Sequence, residues 1–494
     1  MKRVPRARIF WMCAAVLVGL ASVGTIPAPV EAKGPDRLSR AIDAILTREV
    51  FTPAIVAVDI RDLATGRVIY ERNAGLNVKP ASTMKLFTTA AILEAESGGK
   101  SAATTVETAG RLDGLGRVLG DLYLVGRGDP NLSDRFPWRS EKSPFDQLAR
   151  DLKEAGVTRI EGRLIGYDGL FSNESIPDGW TADDLVWSYG AEVTALSAFD
   201  STVRLKLLPG EREGDPAVTT VEPATGFLRI VNGVKTLPRG AASDVTLTRE
   251  LGSRDVVLTG GLAVGGEGWS GSVAAPEPTL FATTLLAEAL TRQGIVVRDA
   301  VATSREPLPQ GLRPLASVKG PGIAEQIKVV NKESQNLHAE TLLRRLGLRA
   351  SNEASVAAGV KAREEFLRQM GVRFADTAMY DGSGLSRSDL TSARAEVDLL
   401  VAMARHPQAA AFRDSLPIAG VDGTLRRRMK DTPAQGRVFA KTGSLRHVNA
   451  LAGYVDAASG RRFALSIIVN HHTRPSREVT EAMDAICVLL AGEP

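Results

Sequence analysis

Apolar runs bracketed by turn residues mark strands near both ends of the chain. Residues 54–73, AIVAVDIRDLATGRVIYERN, predict two strands around a turn at Thr65 and Gly66. Residues 449–470, NALAGYVDAASGRRFALSIIVN, predict a second hairpin turning at Ser459 and Gly460, followed by a helix in SREVTEAMDAICVLLA. Just after the first strand pair, Met84, Phe87, Ala91 and Ile92 recur at the spacing of a buried helix face, with Pro80 placed to start that helix. From about Val106 to Glu306 the texture changes to short strand-like pieces, such as RVLGDLYLVG and STVRLKLLP, separated by Gly, Pro and Asp turns. Helical patterns return from Ile323 to about Met403, and no repeat of fixed period is evident.

Strands at both chain ends can share one sheet, so the pattern predicts one discontinuous α/β domain with a large β-rich module inserted in it. The expected division is 33–105 for its first part, 106–306 for the module, with room for two subdomains, and 307–494 for the second part.

Composition changes this picture only at the N-terminus. The chain has 494 residues, 44% of them hydrophobic and 24% charged, which is ordinary for globular domains and argues against disorder throughout. Residues 1–32 differ: Lys2, Arg3, Arg6 and Arg8 precede an apolar run from Ile9 to Gly24, and VEA ends at Ala32 like a small-residue cleavage site. This pattern predicts a secretory signal peptide, with a retained N-terminal anchor as the alternative. Of 61 basic and 57 acidic residues, four and one fall in residues 1–32, leaving a net charge of +1 on the rest. With no basic cluster interleaved with aromatics, nothing suggests a nucleic-acid partner. Cys487 is the one cysteine beyond that segment, so an exported protein would need no internal disulfide.

Three short motifs carry candidate chemistry. In PASTMKLF, Ser82 and Lys85 are three residues apart, on one face of a helix, where a desolvated lysine can take a proton from a hydroxyl. On that pair alone a capping serine and a snorkelling lysine are the favoured reading, and Ser97 with Lys100 repeats the spacing in SGGK, where the glycines argue against a helix. SQN, Ser334 to Asn336, lies in the later helical region, and KTGSL, Lys441 to Leu445, lies in a strand leading into the final hairpin. A helix cap and a turn would account for either alone. In this order the three form the S-x-x-K, S-x-N, K-T-G set of penicillin-binding proteins and class A β-lactamases, with Gln335 where Asp is usual. No G-x-S-x-G elbow occurs, and adjacent His471 and His472 lack metal-ligand spacing.

With GRGDPNL (126–132), YDGLF (167–171), NKESQNLHAE (331–340), YDGSGLS (380–386) and GVDGTLRRRM (420–429), the mature chain resembles the D-alanyl-D-alanine carboxypeptidase/endopeptidases, class C low-molecular-mass penicillin-binding proteins. The resemblance implies a serine β-lactamase/DD-peptidase-like transpeptidase domain, an antiparallel sheet flanked by helices, carrying a large insertion that class A β-lactamases lack. It implies a periplasmic DD-peptidase acting on peptidoglycan stem peptides and cross-links, inhibited covalently by β-lactams, with no metal or other cofactor. Ser82 would be the nucleophile, Lys85 its proton acceptor, Ser334 the donor to the leaving amine and Asn336 a clamp on Lys85 and the substrate backbone. Lys441 and Thr442 would receive the terminal carboxylate, Gly443 would keep a strand edge open, and the N–H groups of Ser82 and Ser444 would form the oxyanion hole. Leu445 and Asp168 would reach the diamino-acid side chain. A turn aspartate before Gly169 is the equally open local reading of YDGLF, and DGSGLS and VDGTL read as turns shaping the cleft without catalysis. A β-lactamase and a catalytically idle penicillin-binding sensor or scaffold are the alternatives; peripheral association with membrane or wall is left open.

Overall fold

A computed structural model describes residues 37–99, 101–137, 141 and 143–494. Residues 1–32, where a signal segment is expected, and Lys100 therefore lie outside the described residues.

The two chain ends meet in one antiparallel five-stranded sheet. Its strands are β1 (Ile55–Asp62), β2 (Val68–Arg72), β3 (Val438–Leu445), β4 (Val448–Asp456) and β5 (Arg462–Asn470), in the order β3-β4-β5-β1-β2. Both hairpins turn where the sequence places them, with Gly66 and Gly460 at φ of 72° and 84°. β1 pairs with β5 from Ile55↔Asn470 to Asp62↔Phe463. β5 is buried from Phe463 to Asn470. Such a strand is covered on both faces and so reads as a continuous apolar run instead of an alternating one.

One face packs Val58, Ile60, Leu465 and Ile467 against Val479, Met483, Ile486 and Cys487 of the terminal helix (Ser476–Ala491). The other carries α1 (Lys85–Ala95), α2 (Ile323–Lys332), α3 (Asn336–Ser351) and α4 (Ala393–Met403). In α1, Lys85 through Leu93 are all buried. The sequence suggested one apolar face; enclosure by the other helices and the sheet leaves α1 no wet face from Lys85 to Leu93, and only its last two residues reach solvent.

Between the halves, strands Ala302–Ser304, Leu164–Tyr167, Leu122–Val125, Ala103–Thr108 and Arg313–Lys319 form a second five-stranded sheet, in that order. Arg313–Lys319, beyond the 306 limit of the strand-rich texture, pairs antiparallel with Ala103–Thr108. Smaller three- and four-stranded sheets occupy the stretch from Thr202 to Ala274. Among the described residues, no helix is long and apolar enough to cross a membrane.

Candidate active site

Ser82 lies on a single tight turn, Ala81–Met84, that runs directly into α1 at Lys85. Its neighbour Ala81 holds φ of 51°, an uncommon conformation for a residue with a side chain. Strain of this kind persists only where its surroundings enforce it. Here they do: a Cβ on Gly384 would stand 1.8 Å from the Ala81 carbonyl oxygen, and one on Gly443 would stand 2.6 Å from that of Pro80. Gly443 is thus glycine so that the Ser82 turn can lie on β3. This corrects the expectation of an edge kept open, because side chains leave a strand perpendicular to the sheet.

The turn keeps Ser82 and Lys85 together, with Lys85 Nζ 2.9 Å from Ser82 Oγ. Lys85 Nζ also donates to Asn336 Oδ1 at 2.6 Å and to the Ser383 carbonyl at 2.7 Å. A neutral amine has two N–H bonds and one lone pair. Two fixed carbonyl acceptors take both protons, which leaves the lone pair for the Ser82 hydroxyl. Burial lowers the Lys85 ammonium to about 7, against the opposing charges of Asp381, Glu340 and Asp389. The free base is therefore well populated near neutrality.

Ser383 belongs to YDGSGLS, which is more than a turn. Asp381 in that loop accepts from the backbone N–H groups of Ser383, Gly384 and Ser386 at 3.0, 2.6 and 2.8 Å, and from Trp180 Nε1 at 3.0 Å. The loop is thereby rigid where its carbonyl meets Lys85. Sequence reasoning passed over Ser383 because a backbone acceptor leaves no side-chain signature.

Ser334 and Asn336 come from the junction of α2 and α3, where Ser334 holds φ of 60°. Asn336 Nδ2 donates 2.8 Å to the Tyr189 carbonyl, so the middle of the chain helps to orient it. Gln335 turns its side chain to the N-terminus of α3 and accepts from the Leu337 N–H at 3.1 Å. That capping bond explains how Gln can stand in the middle of the motif.

Lys441, fully buried on β3, donates 2.8 Å to Ser334 Oγ and 2.7 Å to the Thr442 carbonyl. Burial first, and the nearby Lys85 second, push its ammonium well below the ordinary lysine range. Among the described residues no carboxylate pairs with it, so this position calls for an anion from outside.

β3 is an edge strand, and Ala440 N–H bonds outward to the Pro417 carbonyl at 3.0 Å. Backbone groups repeat every second residue along a strand, so the N–H groups of Thr442 and Ser444 face the same outer edge. Ser82, Ser334, Asn336, Ser444 and Leu445 line one cleft of about 680 Å³. Thr442 faces Thr424, with 2.8 Å between the hydroxyl oxygens.

Asp168 is not among them. It accepts from Thr279 Oγ1 at 2.6 Å and pairs with Arg305 at 3.2 Å. The carboxylates that do line the cleft are Asp183, which is exposed, and Asp184, which pairs with Arg387 at 3.2 Å; Arg446 joins them. Local sequence could not separate these candidates, since each is an aspartate in a turn-rich stretch.

Two lysines, two serines and an asparagine arranged on a sheet edge agree with the comparison to known proteins. The model of the D-Ala-D-Ala carboxypeptidase 3 (S13) family matches residues 38–489. The chain belongs to this family. It is 34% identical over 488 residues to the D-alanyl-D-alanine carboxypeptidase of Actinomadura sp. (strain R39), covering 96% of this chain and 88% of that protein. Identity with the D-alanyl-D-alanine carboxypeptidase DacB of Haemophilus influenzae is 25% over 432 residues, covering 87% and 88%. The crystal structure of penicillin binding protein 4 (dacB) from Haemophilus influenzae superposes with a TM-score of 0.76 at 23% identity, over 90% of this chain and 97% of that one. A structure of that protein complexed with a novel β-lactam gives 0.70 at 22% identity, over the same shares. These structural matches establish the fold. The S13 chain described here therefore has the penicillin-binding-protein architecture implied by its motifs.

Proposed function

We infer that this chain is a serine DD-peptidase of peptidoglycan that cleaves D-Ala-D-Ala bonds through an acyl-enzyme on Ser82. The observation that carries the reading is the proton count at Lys85: two N–H bonds are committed to Asn336 and Ser383, and the remaining position faces Ser82 Oγ.

Ser82 Oγ attacks the penultimate D-alanine carbonyl while its proton passes to Lys85 Nζ. The developing oxyanion is met by the N–H groups of Ser82 and Ser444, preset donors of a kind usually worth about 3 kcal/mol each. The C–N bond then breaks, and the proton taken up by Lys85 passes by way of the Ser334 hydroxyl, 2.8 Å from Lys441, to the leaving amine, which returns Lys85 to its free base. Lys441 and the Thr442 hydroxyl receive the carboxylate beyond the scissile bond, which supplies the charge that Lys441 lacks among its protein partners. Water entering after the amine is deprotonated by Lys85 and releases the acyl group.

The same site would open a D-alanine to diamino-acid cross-link, since only the group on the leaving side differs. Asp183, Arg387 and Arg446, together with Leu445, support recognition of a zwitterionic diamino-acid side chain in the cleft; Asp168 does not. A β-lactam would acylate Ser82 by opening its ring, with the amine still tethered. The reading places the protein in the periplasm, exported by residues 1–32, with the peptidase carried by the outer portions of the chain. Benzylpenicillin followed by intact-mass and peptide mapping tests it. One whole-penicillin adduct on Ser82, absent from Ser82→Ala, is expected; an adduct that survives the substitution would refute the reading.

A further inference from the structure

The protons around Glu396 do not balance if its carboxyl is ionised. Glu396, on α4, is fully buried beneath the nucleophile turn. Its Oε1 lies 2.5 Å from Thr83 Oγ1, and its Oε2 accepts from Ser466 Oγ on β5 at 2.6 Å. Thr83 Oγ1 is also 2.9 Å from the Pro80 carbonyl oxygen. A threonine hydroxyl has one proton, so it cannot serve an ionised carboxylate and the Pro80 carbonyl together. Both contacts are satisfied when Glu396 carries a proton and donates it to Thr83 Oγ1.

Among the described residues, no cation stands by to stabilise a charge there. Thr83 and Ser466 are the polar groups that face Glu396, and β4 presents Ala450 and Ala452 beside them. The ionic groups of the surrounding elements are committed elsewhere. On β1 and α4, Asp59 and Asp398 share Arg61, Asp398 also binds Arg373, and Arg394 reaches Glu71. Lys441 lies in the same cross-sheet row as Ser466, with Ala452 between, but its donors go to Ser334 and Thr442. Burial accordingly pushes the Glu396 carboxyl up to about 7, opposed by the two hydroxyls.

We propose that Glu396 is a positioning residue for the nucleophile, a carboxyl kept protonated so that it donates to Thr83 and frees the Thr83 proton to hold the Pro80 carbonyl. Pro80 and Thr83 bracket strained Ala81 and Ser82, and the Pro80 carbonyl is the atom packed over Gly443. Loss of the Glu396 proton draws the Thr83 proton away and releases that carbonyl. The proposal rests on Ser82 being the nucleophile and adds a group that acts through the turn without touching substrate.

The acylation rate constant with a chromogenic cephalosporin, measured across pH, tests it with Glu396→Gln, Glu396→Leu and Thr83→Val. Gln can donate to Thr83 and accept from Ser466, so Glu396→Gln should acylate within about threefold of the parent at neutral pH and lose less activity on the alkaline side. Glu396→Leu and Thr83→Val should be slower by roughly tenfold to a hundredfold, the scale expected for a misplaced reacting atom, with pre-acylation binding retained. The infrared difference between the parent and Glu396→Gln should show a protonated-carboxyl C=O stretch at neutral pH. A Gln variant as slow as the Leu variant, a Leu variant as fast as the parent, or a difference spectrum containing carboxylate bands alone would overturn the proposal. The Ser82→Ala control separates the two claims: persistent labelling there would remove the nucleophile assignment, whereas the infrared band reports on Glu396 alone.

Discussion

At the scale of single residues, the proposed chemistry turns on a lysine that is shut away from water. Lys85 is lowered to about 7 chiefly by burial, so its base form is depleted at acid pH and accumulates as pH rises. Acylation of Ser82 should therefore climb through about pH 7 on its acid limb. Stopped-flow acylation between acid and neutral pH checks this, and a rate flat over that range would contradict a lysine base. Ser82 and Lys85 were legible in the sequence because a three-residue spacing survives in both a tight turn and a helix. The Ser383 carbonyl was not legible, since it acts through the backbone. Asp168 stands outside the cleft for a related reason: YDGLF specifies an aspartate at a strand end, but its tertiary partner, Arg305, arrives from elsewhere in the chain.

At the scale of elements, β3 at Gly443 and the loop at Gly384 both close on the Ser82 turn by near approach of backbone. Adding a methyl at Gly443 would press on the Pro80 carbonyl and on Ala81 Cβ, 3.2 Å away. Gly443→Ala should slow penicillin acylation by roughly a hundredfold, as expected for a shift of about 1 Å in a reacting group. Unchanged acylation by that variant would mean the turn has room to yield. Gln335 makes the opposite prediction. Its side chain caps α3 and does not line the catalytic cleft, so Gln335→Ala should cost about 1 kcal/mol of stability while leaving acylation within a few fold. Thermal denaturation beside acylation kinetics would separate the two effects, and a large kinetic loss would place Gln335 in the proton network. Hairpin turns, β5 and the terminal helix were readable from apolar pattern. The all-round burial of α1 was not, because pattern shows which residues avoid water but not how many neighbours surround them.

At the scale of the molecule, the middle of the chain is latched to the catalytic helices by polar links. Tyr189 holds Asn336 through its carbonyl, Trp180 donates to Asp381, and Arg135 joins Asp200 to Glu333 beside Ser334. Asp200 is held well below the usual carboxylate range, as His338 and Arg135 outweigh its burial. Arg135→Ala would leave that carboxylate with His338 as its remaining side-chain hydrogen-bond partner and should cost about 3 kcal/mol, the scale for breaking a largely buried pair. Calorimetry checks this, and an unchanged Tm would show that the latch carries little load. Sequence texture led to the expectation of a β-rich stretch between the outer portions of the chain, and strands from Ala103 to Lys319 fall there. Its reach to Lys319 was hidden because Arg313–Lys319 pairs with a strand some two hundred residues earlier.

The most direct test of the whole account is release of D-alanine from a muropeptide ending in D-Ala-D-Ala, followed by mass spectrometry with Ser82→Ala in parallel. The account predicts stoichiometric loss of one D-alanine with the parent protein and none with the variant. Release that persists without the Ser82 hydroxyl would contradict it.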